Sequence, residues 1–192
     1  MANTDNPTGF TPIGHLLNGD NYGVPRKYRI NSSTGTVLYK GDVVKWETTG
    51  NVEISAADDG AAVLGVFDGC EYLNADRELV RSPVMPADKT GLTNMFGYVY
   101  DDPFIIYAVQ LDTGTTPTEA GSVLKTANHV AGSGDSNTKL SGHELDASDI
   151  GTGSQFTILG LVETPDNSWG EHAKVRGIFN EHALKATSTG GI

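Results

Sequence analysis

A short apolar run occurs twice in the chain, VLGVFD at residues 63–68 and ILGLVE at residues 158–163, each after a polar turn that contains glycine. In both, a Leu-Gly pair sits among β-branched or aromatic residues. That composition favours a pleated sheet and leaves a glycine where another backbone can approach closely. The two runs read as buried strands of one barrel or sandwich, with Gly65 and Gly160 at equivalent places. Neither run carries chemistry, so the repeat points to a scaffold.

The remainder agrees with a sheet protein. Glycine is abundant, Ser and Thr recur every few residues, and long stretches with apolar residues three and four apart are missing. Together these predict an all-β fold, a compact β-barrel or β-sandwich whose helices are single turns. With 192 residues the chain suits one domain able to bury roughly two thirds of its unfolded surface. Three stretches are expected: an extended N-terminal arm over 1–25, one β domain over 26–185 and a frayed tail over 186–192.

Charge narrows the partners. The net charge of −11 argues against nucleic acid, because affinity for phosphates comes from clustered Lys and Arg. The distribution is uneven. Residues 1–45 hold five basic and three acidic groups and so carry +2, which leaves −13 for the rest. A basic segment on an acidic body can lie along that body or along an acidic neighbour. Cys70 is the only cysteine, so no internal disulfide can form, and its apolar surroundings predict an inert thiol. The first ten residues, MANTDNPTGF, lack the pattern of a secretory signal, and no apolar run reaches the length of a membrane span. A soluble protein, neither exported by a standard signal nor in a membrane, is expected.

Along the chain, Pro7, Pro12 and Pro25 with Gly9, Gly14, Gly19 and Gly23 break up any regular element before residue 26. Phe10, Ile13, Leu16, Leu17 and Tyr22 nonetheless make this arm more apolar than a plain disordered tail. It is expected to dock, either along its own body or on a neighbouring chain, and to contact another chain more than its own body. Residues 36–47 read as a hairpin about Lys40-Gly41-Asp42, with Val44 and Trp46 on one face. Asp58-Asp59-Gly60 reads as a tight turn, and Asn74-Ala75-Asp76 as a hairpin loop. FGYVYDDPFIIYAVQLD places a strand on each side of Asp101-Asp102-Pro103 in the most apolar part of the chain. Thr116-Pro117-Thr118-Glu119 has the spacing of a capping box and predicts one helical turn stopped by Gly121; Ser141-Gly142-His143-Glu144 repeats that spacing before a turn. The Gly, Ser and Asn content of 126–142 predicts an exposed loop, and AKVRGIFNEH a closing strand.

No catalytic pattern emerges. The five histidines form neither HExxH nor a His-x-His pair. His172 and His182 stand at opposite ends of the last strand, roughly 33 Å apart if it is fully extended, so a metal would need ligands from elsewhere. No metal, cofactor or catalytic residue is expected. The paired aspartates at 58–59 and 101–102 are better explained as turn residues than as an acid and base.

The strings YDDPFIIYAVQLD, SGHELDASDIGTG, FTILGLVETPDN and AKVRGIFNEH resemble a group of structural proteins of tailed bacteriophages, encoded with the major capsid protein and taken to decorate or cement the head. The likeness spans roughly residues 60–185. It implies a small β protein, not an enzyme, that binds the outside of the assembled shell and bridges major capsid subunits against internal DNA pressure. A homo-oligomer matched to a symmetry axis follows, a trimer before a dimer, located on the virion after assembly in the host cytoplasm. The alternatives are a head-fibre or tail component, or a carbohydrate-binding module in which Trp46 or Trp169 stacks on a sugar. The expected interface is Phe10, Ile13, Leu16, Leu17 and Tyr22 as apolar anchors, with Arg26, Lys27 and Arg29 as charge partners.

Overall fold

The computed structural model describes residues 3–33, 35–57 and 61–185. The expected turn at Asp58-Asp59-Gly60 and the expected frayed tail lie outside these residues. In chain order the first strands are β1 (Thr11–His15), β2 (Arg26–Arg29), β3 (Leu38–Tyr39), β4 (Val43–Trp46), β5 (Val52–Ile54) and β6 (Val63–Leu73). Then come β7 (Leu79–Ser82), β8 (Val84–Met85), β9 (Thr93–Tyr100) and β10 (Ile105–Gln110). One helical turn, α1 (Glu119–Ser122), precedes β11 (Thr126–Ala127), β12 (His129–Val130), β13 (Glu144–Leu145), β14 (Phe156–Leu161) and β15 (Lys174–Phe179). The fold is all-β.

Two larger antiparallel sheets share a core. One has the order β1-β10-β15-β14-β11; the other runs β2-β9-β6-β4-β5, with β7 against the far end of β6. Val43, Val63 and Val66 of the second sheet meet Tyr107, Val109, Phe156, Ile158, Val175 and Phe179 of the first. The opposite face of the second sheet is covered too. There Val44, Leu64, Phe67, Cys70 and Val99 pack with Ile30, with Leu38 of β3 and with Met85 of β8. The first half of β6 is therefore buried on both faces, which explains why residues 63–67 are an unbroken apolar run and not an alternation.

Both Leu-Gly pairs are β-bulges. Val44 pairs with Gly65 and Lys45 with Val63, so Leu64 is the unpaired extra residue. In the first sheet Ile158 pairs with Gly177 and Gly160 with Arg176, which leaves Leu159 as the extra one. As a strand the second run ends at Leu161.

Several sequence expectations require correction. Residues 1–25, expected to lack regular structure, contain β1. β1 pairs along β10 as an edge strand, where Pro12 does little harm and Gly14 falls beside a register shift. Just before it, Gly9 crosses so close to Gly41 that a side-chain carbon at Gly9 would lie 2.5 Å from the Gly41 carbonyl oxygen. That crossing drops Phe10 into the core against Phe156 and Phe179. Lys40-Gly41-Asp42 turns the chain, but β3 and β4 do not pair; β3 joins β8 and β4 joins β5 and β6. β9 and β10 likewise belong to different sheets, and Asp101-Asp102-Pro103 carries the chain between them. The helical turn is capped by Thr118, whose hydroxyl accepts from the Gly121 amide, two residues later than the spacing suggested. Glu144 lies in β13 and begins no helix, and the stretch 126–142 contains β11, β12 and the buried Ala127, His129 and Ser141. The hairpin at 74–78 and the shared face of Val44 and Trp46 are as expected.

Candidate interaction surface

The five apolar residues expected at an interface separate into three groups. Phe10 is only 1% exposed and is a core residue, which removes it from the set. Tyr22 is half-buried, its ring edge-on to Tyr100 at 5.6 Å. Ile13, Leu16 and Leu17 are exposed, Leu17 to 74%.

These three lie where β1 ends and the chain reverses. The Leu16 amide donates to the Phe104 carbonyl at 3.0 Å, so the half-exposed Phe104 ring joins the same end of the sheet. His15 fixes the turn from beneath. Its Nδ1 accepts from the Leu17 amide at 3.0 Å, which leaves the proton on Nε2, 3.3 Å from Asp102. Asp102 in turn accepts from the Phe104 amide at 2.9 Å. One buried imidazole thus ties both halves of the apolar end together. Sequence reading missed Phe104, His15 and Asp102 because their relation depends on β1 lying beside β10; the only local signal was an Asp two residues before an apolar ring, the spacing of an Asx turn.

The basic residues find partners in their own body. Arg26 reaches Asp101 at 3.3 Å, and the Tyr28 hydroxyl donates to the same carboxylate. Burial and this acceptor push the Tyr28 hydroxyl up to about 12. Lys27 pairs with Glu71, which also accepts from the Tyr98 hydroxyl; Lys27 and then Tyr98 hold that carboxyl down at about 2. Arg29 stays exposed, 5.3 Å above the Phe96 ring. β2 is an edge strand of a sheet whose neighbours carry these acids, so the pairs expected across an interface close within the chain.

Other titratable groups are structural. His143 stacks on His129 at 5.5 Å inside the protein, its Nδ1 accepts from Val43, and its Nε2 stands 3.6 Å from Asp42. Burial drives His143 down to about 3 and Asp42 up to about 6. The Cys70 thiol donates to the Ser82 and Val84 carbonyls and burial pushes it up to about 12, as an inert thiol requires. Trp46 is half-buried with its ring edge-on to Tyr28, and the half-buried Trp169 packs against the first core. Among the described residues one group does gather ligand atoms from separate elements: Asp5, Glu144 and His172. Burial, then Asp5 and Asp112, raises the Glu144 carboxyl to about 7.

Comparison of the chain with protein-family models, with curated proteins and with solved structures gave no match. Among the described residues no helix is long and apolar enough to cross a membrane.

Proposed function

We propose that the protein is a structural component of a tailed-bacteriophage virion that binds the outer surface of the head and cements neighbouring major capsid subunits, acting without catalysis and as a homo-oligomer, a trimer before a dimer. The resemblance of its strings to head-decorating proteins motivates this reading. The observation that carries it is the apolar end formed by Ile13, Leu16, Leu17 and Phe104, displayed on a turn that the buried His15, paired with Asp102, holds in place. An apolar surface on a fixed turn is suited to docking in a hollow of another protein.

Energetics rank the contacts. Full burial of each leucine against a shell would contribute about 1.5–3 kcal/mol. Arg29 would add less than about 1 kcal/mol as an exposed pair, and less still at high salt.

Deletion of the first 25 residues is a poor test, because it removes β1 and Phe10. The sharper experiment is co-sedimentation of the Leu16→Ser, Leu17→Ser double variant with purified shells across a sodium chloride series. Loss of stoichiometric binding with an unchanged melting temperature is expected, whereas Arg29→Ala should keep most of its occupancy. Binding of the double variant at the wild-type level would overturn the reading.

A further inference from the structure

Asp5 belongs to the N-terminal segment, Glu144 to β13 and His172 to the turn before β15, yet one ligand atom from each lies within 4.8 Å of the other two. The arrangement is held from behind by a single buried amide. Gln110, 3% exposed at the end of β10, donates from Nε2 to the Thr4 carbonyl at 2.8 Å and to the His172 carbonyl at 2.9 Å. Its Oε1 accepts from the Asn6 amide at 3.0 Å. Asp5 is thus gripped on both sides, and His172 is fixed in the same clasp.

The groups brought together leave each other unsatisfied. Glu144 Oε1 and His172 Nδ1 are shut off from solvent without a hydrogen-bond partner. The nearest Asp5 oxygen is 3.8 Å from His172 Nδ1, too long for a hydrogen bond. Buried polar atoms are seldom left so, and at these separations the three groups do not satisfy one another. A cation between them can. A polar cavity of about 460 Å³, lined by Asp5, Glu144, Ser133 and Asp135 among others, opens beside the cluster and offers an approach and room for water ligands.

The ligand set selects the ion. An imidazole nitrogen with two carboxylates suits zinc and its transition-metal neighbours, whereas magnesium and calcium take oxygen-only sets. Bonds of about 2.0–2.2 Å would place the ligand atoms about 3–4 Å apart, so the cluster must contract by about 1 Å. The Asp5 side chain, 64% exposed, is free to make that movement.

We propose that Asp5, Glu144 and His172 form a site for a divalent transition-metal ion of the zinc class, which clips the N-terminal segment to both β13 and the turn before β15. This inference stands apart from capsid binding.

The test uses the full chain, stripped with EDTA and titrated with zinc chloride in a calorimeter, with melting temperature followed in parallel. Saturable binding of one ion per chain and a raised melting temperature are expected, and magnesium chloride should do neither. Glu144→Gln keeps the side chain's shape, and His172→Asn suits the positive φ at that residue. Each should weaken zinc binding by about tenfold or more. Asp102→Asn, which alters the separate His15 pair, should bind zinc as wild type does. The proposal is overturned by absence of saturable binding at millimolar zinc, by wild-type affinity in both ligand variants, or by loss of binding in Asp102→Asn alone.

Discussion

Leu64-Gly65 and Leu159-Gly160 share a sequence, a bulge and a backbone shape, with φ of 157° and 156° at the two glycines, but their surroundings differ. Leu64 points into the second core with no exposure, and a side-chain carbon at Gly65 would run into the Tyr100 carbonyl of neighbouring β9. Leu159 is half-buried, and the nearest atom to a side chain at Gly160 is the Arg176 guanidinium, 3.7 Å away and able to swing aside. The local sequence determines that the strand bulges. Whether the bulge tolerates change is decided by what lies across it, and only β6 is covered on both faces.

The contrast can be broken most directly at the glycines. Gly65→Ala should cost about 4 kcal/mol or more, since it adds a backbone collision to an unfavourable φ, and denaturant unfolding would measure it. A loss no larger than that of Gly160→Ala would remove the distinction. Next in size, Leu64→Ala leaves a cavity and should cost about 3 kcal/mol, while Leu159→Ala should cost about 1 kcal/mol, both read from the urea midpoint.

A third expectation concerns acid, which should act on the β6 end through His182. Val63 is stitched to the chain after β15, donating to Glu181 and accepting from Ala183, and the buried His182 lies between. Burial lowers His182 to about 4; Asp101 and Asp102 pull weakly the other way and Lys185 adds to the lowering. Its Nδ1 accepts from the Leu184 amide at 3.1 Å, a bond that protonation would destroy. The unfolded chain therefore takes up this proton first. Stability contributed by neutral His182 is complete above about pH 6.5, falls as the pH drops and levels off near 4. At pH 5 the loss should approach about 2 kcal/mol relative to pH 8. His182→Asn, which retains an acceptor for Leu184, should lack that component in urea titrations at the two pH values. Gly160→Ala should cost about 1–2 kcal/mol from φ alone.

The strands were legible wherever burial is local to the strand: β6, β9, β10 and β15 announce themselves as apolar runs, and the 74–78 turn by its Asn and Asp. Partnership was not legible. Pro7, Pro12 and the early glycines signal a broken chain equally well in solvent or on a sheet edge, and only β10 shows which. Lys40-Gly41-Asp42 looks like a hairpin because a tight turn does not reveal that its two arms leave for different sheets. Of the apolar end, Ile13, Leu16 and Leu17 could be named from sequence, but Phe104 could not. Asp5, Glu144 and His172 give no motif at all, since two of their spacings exceed any local pattern and Gln110, which aligns two of them, reads as an ordinary strand residue.

Phe10 has a consequence for how the molecule is made. A ribosome delivers it well before the rings that enclose it, those of Tyr107, Phe156 and Phe179. Asn3 and Ser168, which exchange hydrogen bonds, are 165 positions apart. The shared core therefore cannot close before β14 and β15 emerge, and until then Phe10 waits as an uncovered aromatic ring. Pairings of such long range also fold slowly. The interval between the birth of Phe10 and the arrival of Phe179 is the period in which the polypeptide is most exposed to self-association.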